Sequence, residues 1–250
     1  ANGLPAIFEI GPGKFLLGTK WDPTNNVYGI LPMIVGSLYV TAGAIIVGVP
    51  IGVLTAVFMA EFCPPKLYKI MKPAVELLAG IPSIVYGFFG LVALVPIIRN
   101  LFGGSGKGIL TASILLGIMI LPTIISISEG ALRAVPRSYY EGAVGLGATK
   151  ERAVFFTMVP AAKSGIFAGI VLGIGRAIGE TMAVIMVAGN TAVMPTSILS
   201  MVRTMTANIV LEMGYATDLH REALIATGVV LFIFILIINL CFALIKKKEA

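Results

Sequence analysis

Five long apolar stretches dominate the chain, at about 29–60, 74–98, 109–128, 164–188 and 223–245. Each is long enough to cross a bilayer as a helix, which takes roughly 20 predominantly apolar residues. Composition agrees: 58% of the 250 residues are hydrophobic and 12% charged, where a soluble domain carries about 25% charge. The expected fold class is therefore all-α, a polytopic integral membrane protein with five spans. The first stretch is too long for one straight crossing, so a tilt or a kink at Pro50 is expected. The second contains Pro82 and Pro96 and reads as a broken helix.

Orientation follows from the placement of Lys and Arg. With the N-terminus outside, the inner loops hold Lys66, Lys69, Lys72, Arg133, Arg137, Lys150, Arg152, Lys163, Lys246, Lys247 and Lys248, eleven of the 18 basic residues. The outer segments hold Lys14, Lys20, Arg99, Lys107, Arg203 and Arg221, and Arg176 lies inside a span. The net charge of +6 is thus a topology signal, and no nucleic-acid partner is implied. Cys63 and Cys241 fall near ends of apolar spans and read as buried apolar residues, outside any disulfide framework. The only histidine is His220, so no metal-ligand set is visible.

Between the third and fourth spans lies a polar, helix-forming island, residues 138–160. Ser138-x-x-Glu141 is a capping-box pattern, Gly147 stands where a helix end needs a left-handed residue, and Thr149 can cap a second helix running toward Pro160. On capping logic alone the island is a connector. Glu141-Gly142-Ala143, Gly147 after three residues and Thr157-x-Val159-Pro160 after nine more together resemble the EAA loop of ABC importer permeases. The spacing matches throughout; Gly142, Thr157 and Val159 depart from the usual residue types. The resemblance implies that this loop is a cytoplasmic coupling helix docking into an ATPase subunit, through Glu141, Gly142, Ala143, Gly147 and Pro160.

Residues 189–222 form a long outer connection. In it Ile198, Met201, Val202, Met205, Ile209 and Met213 recur at helical spacing between Pro195-Thr196 and Gly214, which predicts an amphipathic helix. Packing on the spans and service as an outer gate, with Arg203, are both open. Two glycine-rich stretches are decoys. Gly103 to Gly108 lacks the first glycine and the final Ser or Thr of a phosphate loop. Gly173, Gly175 and Gly179 sit inside an apolar span with no strand before them, as membrane-helix packing requires. No ATP site is expected in this chain.

The fourth span carries GIVLGIGRAIGETMAV. Arg176 and Glu180 are four residues apart and would share one helix face with Gly165, Gly169 and Gly173. Small residues at that spacing let another helix approach. A charge inside the membrane costs at least about 2.5 kcal/mol and usually marks function; a structural pair fixing helix register is the alternative. Arg offers a fork matched to oxyanions, and Ser83 and Tyr86 at the expected break could add donors. Thr181 and Asn190 are weaker candidates.

LLAGIPSIVYGFFGLVALVP, GRAIGETMAV and WDPTNN resemble the PstC-type permeases of phosphate importers, and with the EAA loop the likeness runs through nearly the whole chain. It implies a type I ABC importer transmembrane domain in a prokaryotic cell membrane, moving inorganic phosphate by alternating access. It implies a second related permease, two ATPase subunits carrying ATP and Mg, and an extracellular phosphate-binding protein. The family has one more helix upstream, and the start at Ala1 suggests that a segment is missing. Residues 1–27 are then an extracellular N-terminal segment and 28–250 the transmembrane domain, with the EAA loop and the C-terminus in the cytoplasm. A permease for molybdate or sulfate is a rival within the class. An ion-coupled carrier or channel would show an inverted repeat with intramembrane carboxylates. No repeat is visible, and Glu180 is the only carboxylate read as well inside a span. A membrane enzyme would need a nucleophile and base, and none appears within the spans.

Overall fold

The computed structural model describes residues 3–248, with side chains as far as Leu240. The side chains of Cys241, Lys246, Lys247 and Lys248 lie outside the described residues. Two short helices, α1 (Gly3–Ile10) and α2 (Pro12–Leu17), precede an antiparallel pair of two-residue strands, β1 (Trp21–Asp22) and β2 (Val27–Tyr28). Asp22 shapes the turn between the strands. Its carboxylate accepts from the Thr24 hydroxyl and the Asn25 amide, both at 2.8 Å. The hydrogen bonds from Asn25 and then Thr24 hold its pKa down at about 2.

The membrane helices follow. α3 (Leu31–Val57) runs unbroken through Pro50 and finishes in a π turn over Phe58–Phe62. α4 (Pro65–Gly80) stops at Ile81-Pro82, because the pre-proline residue is pushed out of helical geometry: Ile81 has ψ 126. α5 (Ser83–Phe89) restarts there and passes through a π turn into α6 (Val95–Phe102), so the break falls at Pro82 while Pro96 sits in the first turn of α6. α7 spans Ile109–Arg133. The polar island is α8 (Arg137–Gly145), α9 (Lys150–Ala153), a π turn, and α10 (Val159–Ala161), bent by 69° against α11 (Lys163–Gly179). Then come α12 (Met182–Val187), α13 (Met205–Glu212) and α14 (Asp218–Lys248). Four described helices are long and apolar enough to cross a membrane, or five if the bent pair of Lys150–Ala161 and Lys163–Gly179 is counted as one span.

α7 is the pillar. Leu115, Leu116, Met119, Ile120 and Ile124 are all buried on it. Lipid tails are as apolar as leucine, so close van der Waals packing must hold these helices together. Glycine supplies it on both sides. Gly48 and Gly52 of α3 lie against Ile120 and Ile124, while Gly165, Gly169 and Gly173 of α11 lie against Ala131, Ile127 and Ile124. The small-residue face expected on the fourth span thus meets α7.

At one end of the bundle a cap forms from residues 3–30, the 189–217 connection and the start of α14. Trp21, Tyr28 and Phe15 share a core with Met205, Ala216 and Leu224. The first residues are therefore fused to the bundle. Glu212, 6% exposed, is the polar centre of the cap. It accepts from Trp21 Nε1 at 2.8 Å and from Arg203, and its other contact is His220 Nε2 at 2.8 Å. The helix expected across 198–213 is shorter: only Met205–Glu212 is helical, with Thr204 capping it. The stretch before it spends its backbone elsewhere. Ser200 and Ile198 carbonyls accept from the first amides of α7, and Val202 donates to Ala188 at the end of α12. Those bonds preclude a helix.

Candidate functional site

Two helix breaks meet beside α7. α5 and α12 pack side by side and run in the same direction, Gly87 against Ala183 and Met186 and Gly90 against Val187. The break at Ile81-Pro82 and the break at Glu180-Thr181 therefore lie within about one helical turn of the same level. Ser83, Tyr86, Arg176, Glu180 and Thr181 are all at or next to these breaks.

Their roles differ from the sequence expectation in one respect. α11 ends at Gly179, and Glu180 leaves it with extended backbone, ψ 133. The four-residue stacking of Arg176 with Glu180 needs a continuous helix, so no such ion pair forms among the described residues. Glu180 instead turns onto the start of α12, where its Oε1 accepts from the Thr181 and Ala183 amides at 3.0 and 3.2 Å. A carboxylate is stabilised there by otherwise unpaired N–H groups. Arg176 reaches the Thr123 hydroxyl at 3.4 Å, a long and weak bond. Around it α11 is open: nothing lies within 4 Å of where a Cβ would stand on Gly175 or Gly179. Tyr86 is buried and donates to the Leu78 carbonyl at 2.8 Å, in the last turn of α4, where the Ile81 amide reaches the same oxygen at 3.4 Å. Thr181 donates its hydroxyl to Gly179 O at 3.2 Å, and Ser83 is half-buried at the first residue of α5. Arg203 is held by Asn190 O at 3.0 Å, Asn208 Oδ1 at 2.9 Å and Glu212. Asn190 sits at the end of α12 with φ 56.

At the opposite end from the cap, α8 and α9 form a knob. Ser138 does not cap it. α8 starts earlier, at Arg137 with Pro136 at the cap position, because Arg137 is drawn to Glu61 at 3.0 Å and stacks on Tyr140. Glu141 is thereby left exposed, with Gly142 beside it and Ala143 half-buried. Gly147 has φ 89; its amide bonds Val144 O and the Ala148 amide bonds Ala143 O, which is the Schellman ending. Thr149 caps α9 through the Arg152 amide at 3.4 Å. Leu146 at the tip is 93% exposed. Phe62 stacks on Phe155 and lies under Lys150, tying the knob to the end of α3. Cys63 there is half-exposed, contrary to the buried reading.

Residues 48–249 match the family described as the binding-protein-dependent transport system inner membrane component. The chain belongs to that family. Among inner membrane components of this kind it is 42% identical, over 92% of its own length and 77% of the other's, to a probable ABC transporter permease protein, YqgH, of Bacillus subtilis (strain 168). It is 38% identical to a phosphate transport system permease protein, PstC, of Mesorhizobium japonicum, over 90% and 75% of the two chains. Among solved structures, the inward-facing MetNI methionine ABC transporter superposes with a TM-score of 0.70 at 20% identity, covering 92% of this chain and 100% of that one. A bacterial ABC transporter involved in alginate import gives 0.65 at 13% identity, covering 98% and 89%. The fold is that of a type I ABC importer transmembrane domain, and the protein is a multi-pass inner-membrane permease.

Sequence reading missed two buried carboxylates. Glu212 was passed over in a connection. Glu129, 1% exposed, lies one residue beyond the expected end of the third span, yet α7 continues to Arg133. Glu180 is therefore not the only carboxylate in the membrane helices. Glu129 accepts from Tyr68 at 2.6 Å, Lys72 at 2.8 Å and Arg133 at 2.8 Å.

Proposed function

We propose that this chain is the permease subunit of an ATP-driven importer that moves inorganic phosphate across the cell membrane. The observation that carries the reading is Arg176. Its half-buried guanidinium reaches Thr123 of α7 near two adjacent helix breaks, in a chain whose relatives include permeases named for phosphate transport. A guanidinium matches phosphate oxygens in pairs. Irregular backbone at membrane depth is tolerated where it lines a cavity.

In this reading Glu180 plays a different part from that of a partner for Arg176. Its carboxylate occupies the first amides of α12 and keeps those donors from the passing anion. Phosphate is then held by the guanidinium, with Ser83 and Thr181 hydroxyls near the breaks, and can leave again. Tyr86 acts on the fold of the break, through Leu78, more than on the anion.

One side of the pathway is missing from this chain. Ile84, Val85, Phe88, Phe89 and Val92 are each at least half exposed along α5 and the turn after it. A second, related permease covers this face and closes the pathway. The exposed knob docks one of two ATPase subunits, which carry ATP and Mg; this chain contributes no catalytic residue and no cofactor. An extracellular phosphate-binding protein delivers substrate to the cap, which with Arg203 and the 189–222 connection serves as an outer gate that moves as one rigid piece. Residues 1–27 lie outside, and the knob and C-terminus in the cytoplasm.

The whole complex, purified and reconstituted in vesicles, is expected to take up phosphate with ATP hydrolysis. Uptake of molybdate or sulfate in its place would overturn the substrate. Uptake driven by an ion gradient without the ATPase subunits would overturn the importer. The orientation has its own check. In intact cells a membrane-impermeant thiol reagent should label a cysteine placed at Asn26 or Gly104 and miss one at Lys150; the reverse pattern inverts the topology.

A further inference from the structure

The cluster around Glu129 joins three elements at the knob end. Tyr68 and Lys72 come from α4, Glu129 and Arg133 from α7, and Arg133 also donates to Met59 O in the π turn of α3, at 3.0 Å. The Arg133 guanidinium lies over the Tyr68 ring at 4.5 Å. α4 has little else to hold it. Val75 is its one buried residue, packed with Met59 and Ile125 and flanked by half-buried Tyr68 and Met71, while Ile70 and Leu77 are 70% and 73% exposed. A buried carboxylate with three donors is thus the main polar tie between α4 and the bundle.

Both ends of that tie lead somewhere. On one side the π turn that supplies Met59 O also supplies Glu61 and Phe62, which hold Arg137, Lys150 and Phe155 of the knob. On the other, the last turn of α4 holds Leu78, whose carbonyl accepts from the Tyr86 hydroxyl across the break. We propose that Glu129 is a positioning residue for transport: it locks α4 to α7 and α3, so that displacement of the knob moves the broken helix at Pro82. Coupling between distant sites is carried by such contiguous packed and hydrogen-bonded elements when they have two arrangements. The inference rests on the importer reading for the source of the displacement, the nucleotide, and not on the identity of the substrate.

The test uses the whole complex with spin labels in two pairs. One pair reports the knob, at Gly145 against the α6–α7 loop at Gly104; the other reports the break, at Ile81 against Gly104. In the wild-type complex both distances should change on ATP binding. In Glu129→Gln the knob distance should still change and the Ile81 distance should stay fixed. Uptake per ATP hydrolysed should fall on the order of tenfold or more, within the range of measured coupling energies. Lys72→Met should behave likewise, and Glu129→Asp should recover part of the movement. Glu76→Gln, which removes only an exposed contact to Lys72 at 3.9 Å, should change nothing. An Ile81 distance that moves in Glu129→Gln as in wild type, or that is fixed in wild type, overturns the inference. A complex whose labels move with ATP but which does not carry phosphate overturns the substrate and leaves Glu129 its role.

Discussion

Arg176→Met is expected to abolish phosphate uptake in a complex that still assembles and still hydrolyses ATP. The guanidinium can offer phosphate two charge-assisted hydrogen bonds, each worth about 1.5–3 kcal/mol, so their loss slows transport about a hundredfold or more. The fold should tolerate the change, because the one hydrogen bond shown for Arg176 is the 3.4 Å contact to Thr123. Arg176→Lys should fail nearly as badly, since a point charge loses the planar fork. Glu180 separates this reading from a structural ion pair. If the two charges served only each other, Arg176→Met combined with Glu180→Leu would restore uptake. On the proposed reading the opposite is expected: the double variant stays inactive and additionally loses the cap on α12, a cost of about 1 kcal/mol. Uptake measured in vesicles at matched complex content decides it, and normal uptake from the double variant would remove Arg176 from the pathway.

The second large effect is expected at the knob. Gly147 has φ 89, a conformation that costs a side-chain-bearing residue on the order of 1–3 kcal/mol and a β-branched one the most. Gly147→Val should therefore break the Schellman ending and swing α9 relative to α8. Glu141→Lys leaves the backbone alone and reverses the charge on the exposed face. Both should release the ATPase subunits on purification and reduce uptake to background, with the permease itself still inserted and recovered in normal yield. Retained ATPase subunits with normal uptake would leave the knob a connector.

The five spans were legible because burial in lipid demands apolar length, and hydropathy records length directly. The knob was legible because a polar island between spans has to announce its own ends, as Gly147 and Thr149 do. Pro82 announced its break for the same local reason. The break after Gly179 had no such mark. It depends on Glu180 finding free amides on α12, which only the folded backbone provides. The helix expected over 198–213 begins only at Met205, because periodicity cannot see that the Ile198 and Ser200 carbonyls are engaged by α7. Ser138 failed as a cap because Arg137 is pulled to Glu61, 76 residues away. Glu129 was hidden by one residue of span length, and Glu212 by a partner, Trp21, 191 residues away. Long-range polar partners leave no periodic trace.

Glu212 has a consequence for how the cap can move. One carboxylate serves Trp21 near the start of the chain, Arg203 in the connection and His220 at the head of α14. Prying away any one of the three exposes the same buried charge to an incomplete shell, so the first opening carries most of the cost and the next ones little. Such an arrangement is cooperative: the cap comes apart all at once or holds, with no half-open state of low energy. It behaves as a rigid lever arm on the bundle, and the bending that alternating access requires has to be found elsewhere, at the seams on either side of α5 and α12.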